Sequence, residues 1–282
     1  MSLAAFGLIA AAAGAHATWN FFAKQAHGGL PFVWLPGVCA VTLYTAPAVA
    51  VLVLSGHGLS VVDVAFMAGS GALHGLYLTT LQRGYAEGDF SVVYPLARGT
   101  GPALSVLAAI VVIGERPGPL ALAGAALVVT GVFALLRGGR RVDARALTFA
   151  LLAGAAIAAY TLWDAHAVQA LRLAPLLYYW GSEVARTIIL AAPALHARQH
   201  LRTTLVGDRS AILVVGLLSP LAYILVLQAL TLAPVSVVAP GREASIVIAS
   251  LLGSRVLQEG HLRRRLIAAI IILAGIACLV LA

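Results

Sequence analysis

The chain has 282 residues, of which 61% are hydrophobic and only 10% charged, with a mean hydropathy of +0.99. Soluble domains carry roughly 25% charged residues, so this composition excludes a soluble fold and leaves a polytopic membrane protein built on apolar runs of about 20 residues. The net charge of +8 sits in short loops between those runs, where it orients spans and meets anionic headgroups; because it forms no large basic face, it argues against a nucleic-acid partner.

Ten spans are predicted in chain order, at 3–24, 32–55, 61–83, 91–113, 118–137, 146–169, 175–195, 210–230, 234–255 and 266–282. The first has no basic stretch ahead of its apolar core, so "MSLAAFGLIAAAAGAHATW" is expected to be a span and not a cleaved signal. It carries His16, Trp19 and Asn20 on one helical face. Trp34 near the start of the second span is expected at the membrane interface. Cys39, in the same span, and Cys278, in the tenth, are expected to be packing residues, with no disulfide and no metal. In the third span His74 and Tyr77 share a face, with Gln82 beyond them, and Gly71 and Gly75 form a small-xxx-small step expected to pack closely on another helix.

The fourth span holds "SVVYPLARG" (Ser91 to Gly99), with Tyr94 and Arg98 one turn apart and Pro95 expected to open the hydrogen-bond ladder. Glu115 follows it and is expected to serve as a structural cap or gate tie. After the basic link "RGGRRVDAR" (137–145), the sixth span places Tyr160, Trp163 and Asp164 in the pattern of the first. Tyr178 and Trp180 at the start of the seventh span read as interfacial aromatics. Tyr179, Glu183 and Arg186 follow at i, i+4 and i+7, where Glu183 and Arg186 are spaced to pair with each other. The ninth span holds "SVVAPGREA" (Ser236 to Ala244). In a helix, the adjacent Arg242 and Glu243 point about 100° apart and need partners elsewhere; Arg98 is the partner expected for Glu243.

Shifting the sequence by 144–146 residues brings its halves into register. Trp19-Asn20 falls on Trp163-Asp164, "YLTTLQ" (77–82) on "YILVLQ" (223–228), Ser91–Pro95 on Ser236–Pro240, and Glu115 on Glu259. The chain thus reads as a duplicated five-helix unit, 1–137 and 146–282, joined by a basic linker at 138–145. Five is odd, so the second copy enters the membrane from the opposite side. The fold class expected is all-α, ten transmembrane helices in two inverted five-helix repeats, an arrangement common in secondary transporters.

The ten spans in two halves, the early "HATWN", "GDFSVVYPLARG" in span four, and "GE" ahead of "G…VVTGV" in span five resemble the drug/metabolite transporter superfamily, in its EamA-type branch. The resemblance covers almost the whole chain. It implies transport of small metabolites, often export of amino acids or related compounds, without ATP hydrolysis, in the plasma (inner) membrane.

Thirteen Lys and Arg residues fall in the connections after spans one, three, five, seven and nine, against Arg116 and Arg172 on the other side. In short loops that bias faces the cytoplasm. It puts both termini outside, opposite to the orientation common in the resembling family.

Each ionisable group within the bilayer costs at least about 2.5–3.5 kcal/mol unless paired or hydrated, which singles out the candidate site. Arg98 or Arg242 is expected to take an anionic group, since a guanidinium fork fits carboxylate, phosphate or phosphonate. Trp19, Trp163, Tyr77, Tyr94 and Tyr160 would wall the ligand, with His16, Asn20, His74, Asp164 and Glu243 beside it. For the Trp residues and Asp164 the competing reading is packing and hydrogen bonding between helices. Asp164, Glu183 and Glu243 are candidates to carry a coupling proton, because burial raises a carboxyl pKa. No cofactor is expected; the partners are a small-molecule substrate and the bilayer, and the chain is expected to be a monomer or weak homodimer. HExxH and GxSxG are absent from the sequence, which disfavours an intramembrane enzyme. The alternative to a metabolite transporter is a flippase or accessory membrane subunit handling a lipid-linked headgroup.

Overall fold

A computed structural model describes residues 1–26, 29–56, 58–88, 90–134, 143–245 and 262–282. Among these, every regular element is a helix: α1 (Leu3–Gln25), α2 (Gly29–Ser55), α3 (Val61–Glu87), α4 (Phe90–Ala108), α5 (Pro119–Ala134), α6 (Ala144–Gln169), α7 (Pro175–His196), α8 (Leu201–Gly207), α9 (Arg209–Leu230), α10 (Val235–Gly241) and α11 (Leu262–Leu281). Their starts follow local chemistry. Ser60 and Asp63 form a reciprocal capping box on α3, Ser2 and Asp143 cap α1 and α6, and Pro175 opens α7, where its missing N–H is no loss. α4 runs on as a π-helical turn, Ala109–Ile113, which Gly114 ends in the left-handed conformation at φ 80°.

Five stretches are long and apolar enough to cross a membrane: Pro31–Ser55, Val61–Glu87, Leu96–Ile113, Ala144–Gln169 and Arg209–Leu230; Pro119–Ala134 and Ile267–Leu281 are shorter apolar helices. α1 and α7 match two predicted spans in extent but fall outside that set, and polar residues such as His16, Asn20, Glu183 and Arg186 lower their hydropathy. The predicted ninth span corresponds only to α10 and the short stretch after it among the described residues, since 246–261, Glu259 included, lie outside them, as do residues 138–142 of the 138–145 linker. Large apolar side chains such as Val53, Leu54, Val61 and Val111 are exposed on outer faces, as lipid-facing residues are.

The helices pack in a regular exchange. α1 lies on α9 and α3 on α6, while α2 lies on α7 and α5 on α11. The first long helix of each half therefore meets the third of the other half, and the second and fifth meet their own counterparts. Small residues permit the closest approaches. A Cβ at Gly124 would sit 2.7 Å from the Gly275 carbonyl oxygen, and one at Gly275 would sit 2.7 Å from that of Gly124, so the α5–α11 crossing admits no side chain at either position. Gly71 packs as expected, since a Cβ there would lie 2.6 Å from the Ser182 carbonyl oxygen. Gly75, one turn on, has open space beside it, so the packing step ends at Gly71.

Candidate substrate site

Arg98 reaches inward from α4, which stays helical through position 95 despite its proline. The matching stretch in the second half behaves differently. α10 ends at Gly241, just after Pro240, and Glu243 N–H donates to the Pro240 carbonyl at 3.0 Å in a tight turn. This break corrects the sequence expectation for Arg242 and Glu243. Where the chain tightens into this i→i−3 turn the neighbours converge, and Arg242 Nε lies 3.5 Å from Glu243 Oε1. On the other side Arg98 Nε lies 3.2 Å from Glu243 Oε2, the pairing expected from the repeat. Irregular backbone at membrane depth occurs where it lines a cavity or is buried in protein.

Glu243 is completely buried between two guanidiniums that are themselves 5% and 7% exposed. Neither carboxylate oxygen is aligned with a hydrogen-bond donor, and Arg242 Nε and Nη2 have no hydrogen-bond partner among the described residues. Arg98 Nη2 donates to His16 Nε2 at 3.1 Å and to Ser245 Oγ at 3.4 Å. A guanidinium only donates, so His16 must offer Nε2 unprotonated. The Arg98 and Arg242 guanidiniums also stand 5.9 and 5.7 Å from the ring centroids of Tyr94 and Tyr160. His16, Arg98, Arg242, Tyr160 and Tyr223 line a cavity of about 50 Å³, kept open by Ala12 and Ala13 of α1 and Ala222 of α9. That volume suits the head of a ligand.

A second polar cluster adjoins the first through Tyr160 and Tyr223. Asp164 of α6 is completely buried. It accepts hydrogen bonds from the Tyr178 hydroxyl at 2.7 Å and the Tyr223 hydroxyl at 2.6 Å, and His74 Nε2 lies 3.2 Å away. The His74 ring stacks on Tyr160 with centroids 4.0 Å apart, and Tyr77 meets Tyr160 edge-on at 5.9 Å. Tyr178 is fully buried here, which corrects its reading as an interfacial aromatic: its hydroxyl has an acid to bind inside the bundle.

The other candidates stand apart. Trp163 is 36% exposed, stacks on Phe66 at 4.5 Å and donates to the Phe66 carbonyl at 2.9 Å, away from the cavity lining. Trp19 packs edge-on against His16, and Asn20 donates to the His16 carbonyl of its own helix at 2.7 Å. Glu183 pairs with Arg186 within α7, beside Gly37 of α2. Trp34 and Trp180 tie α2 to α7, donating to the Thr187 carbonyl at 3.0 Å and to Thr45 Oγ1 at 3.1 Å. Glu115 accepts from the N–H groups of Val235 and Ser236 at 2.7 and 3.0 Å. It therefore caps the start of α10 from the other half of the chain, the structural role expected of it.

Residues 144–281 match the family model of the EamA-like transporter family. This stretch belongs to that family, and so to the drug/metabolite transporter superfamily. The match over this stretch points to a membrane transporter of the drug/metabolite kind, and together with the apolar helices it points to an integral membrane protein. A solved structure described as "Crystal structure of protein" superposes with a TM-score of 0.78 at 18% identity, covering 100% of this chain and 98% of that one. At that identity the likeness establishes the shared fold, over the first half as well as the EamA stretch. No curated protein matches the sequence.

The residues that the sequence reading missed are Tyr223, Tyr178 and Ser245. The register of "YLTTLQ" with "YILVLQ" makes Tyr223 the counterpart of Tyr77, and that was the available signal for it. Tyr178 and Ser245 carry no such mark.

Proposed function

We propose that the protein is a secondary transporter that moves a small anionic or zwitterionic metabolite, amino-acid-like or phosphonate-like, by alternating access between two inverted five-helix repeats. The observation that carries this reading is the charge in direct contact around Glu243: two buried guanidiniums share one buried carboxylate beside a cavity, with Arg242 Nη2 left without a hydrogen-bond partner among the described residues. Asp164, the other acid nearby, is engaged by its own three partners. A ligand anion supplies the missing negative charge and the planar acceptors a guanidinium fork prefers. The exchange of packing partners between halves supports the inverted repeat.

The test is a thermal-shift screen of the purified protein with short carboxylates, phosphonates and sugar phosphates, against matched neutral and cationic compounds. Anions are expected to raise the melting temperature, and Arg242→Gln is expected to abolish the shift. Equal stabilisation by neutral or cationic compounds sinks the anion site. Counterflow of the stabilising anion in liposomes, without scrambling of labelled lipid in the same vesicles, then separates metabolite transport from lipid flipping. Release of preloaded label from cells reads the export direction.

The loop charges support a plasma-membrane orientation with both termini outside the cytoplasm. Gly207, exposed at the end of α8, then faces inward. With Cys39 and Cys278 replaced, Gly207→Cys is expected to resist a membrane-impermeant maleimide in intact cells and to react in inverted vesicles. Reaction in intact cells reverses the orientation.

A further inference from the structure

The two polar clusters meet at one side chain, Tyr223 of α9. It lines the cavity alongside Arg98 and Arg242, and its hydroxyl is hydrogen-bonded to Asp164 Oδ2 at 2.6 Å. A phenol has one proton to donate and keeps lone pairs to accept. Asp164 is completely buried and takes Tyr178 on its other oxygen, with His74 against Oδ2. The Tyr223 hydroxyl commits its proton to that hydrogen bond, so the phenol oxygen keeps its lone pairs as an acceptor. The Tyr179 and Tyr160 rings pack against the Tyr223 ring, with centroids at 5.4 and 5.9 Å. The cavity lined by the two arginines is thus also lined by a phenol whose proton is committed to a buried acid.

We propose that Tyr223 is a specificity-determining residue, oriented by Asp164, that selects anions carrying a hydrogen-bond donor next to the acidic group, such as an ammonium, hydroxyl or N–H. This rests on the anion site proposed above and adds a second point of recognition to it. An anion without the donor would leave the Tyr223 oxygen and the acid behind it facing an apolar group, and sites built around a fixed polar partner discriminate strongly against ligands that lack the complement. Asp164 acts through Tyr223 and is the positioning residue.

The experiment compares matched probes by thermal shift and calorimetry on the full-length purified protein: propionate against lactate and alanine, and methylphosphonate against aminomethylphosphonate. The donor-bearing member of each set is expected to bind at least about ten-fold more tightly to the wild type. In Tyr223→Phe, which keeps the ring and its packing, that preference is expected to fall to near unity. In Asp164→Asn the amide can donate to the phenol oxygen and release the phenol proton toward the cavity, so the preference is expected to shrink or reverse. Should either variant fail to fold, the wild-type comparison decides alone. Binding of both members with equal affinity to the wild type overturns the selectivity and leaves the anion site standing, as does a preference that survives intact in Tyr223→Phe. Failure of every anion to bind overturns both.

Discussion

Glu243→Ala is expected to be the most damaging substitution of the central charges, more so than Arg98→Ala. The structure gives the reason. Glu243 is the shared counter-ion of Arg98 at 3.2 Å and Arg242 at 3.5 Å, and all three are buried. Removing Arg98 leaves Arg242 and Glu243 as a neutral pair. Removing Glu243 leaves two guanidiniums facing each other's field in a low-dielectric interior, with no acid between them. Breaking a buried ion pair from one side costs about 3–5 kcal/mol, and here repulsion adds to it. Thermal unfolding in detergent, followed by size-exclusion recovery, is expected to rank wild type above Arg98→Ala and Arg98→Ala above Glu243→Ala. The double variant Arg98→Ala with Glu243→Ala returns to one net positive charge, as in the wild type, and is expected to regain part of the stability lost in Glu243→Ala. It keeps a single guanidinium, so anion affinity is expected to stay at least about ten-fold down, since charge-assisted forks carry much of such recognition. A Glu243→Ala protein as stable as Arg98→Ala would show that Glu243 does not hold the two arginines.

Asp164→Ala is expected to be next in severity. It removes the acceptor of the Tyr178 and Tyr223 hydroxyls and the partner of His74 at once. Each buried donor left unsatisfied costs about 1–3 kcal/mol. Tyr178 has a weak fallback in the Phe66 carbonyl at 3.4 Å, so the three losses do not simply add, and a total beyond about 3 kcal/mol is expected. Asp164→Asn retains an acceptor and is expected to unfold well above Asp164→Ala. Equal melting temperatures for the two variants would place the stabilising role of Asp164 outside these hydrogen bonds.

Most of the helical layout was legible from apolar runs and their punctuation, because in a bilayer the backbone must satisfy itself within each helix. The boundaries of α2, α3, α6, α7 and α9 fall within a few residues of the predicted spans. The pairing of Arg98 with Glu243 was legible too, through the register of the two halves. What escaped was local. Arg242 and Glu243 were read as helical neighbours, and the turn after Gly241 swings both toward one centre. Tyr178 lies near a helix start, where an aromatic ordinarily meets the headgroups, and only the three-dimensional packing of both α6 and α7 on α3 carries it to Asp164 of α6. Trp163 shares the helix face pattern of Trp19, yet Gly69 of α3 leaves a slot that its indole fills from outside the cavity. A pattern along one helix cannot say which neighbour supplies such a slot.

The opposed charges of Arg98 and Glu243 bear on how such a chain arose. These residues occupy the same place in the two halves and meet across them at 3.2 Å. In an ancestor assembled from two identical five-helix chains, that place would bring like against like, two arginines or two glutamates. A homodimer therefore has no route to this ion pair, whatever its sequence there. If the halves descend from one five-helix unit, opposite charge at that position becomes available only once duplication and fusion let each copy mutate alone. The pair also fixes the halves as non-interchangeable, since a chain carrying two first halves or two second halves would restore the like-charge encounter at its centre.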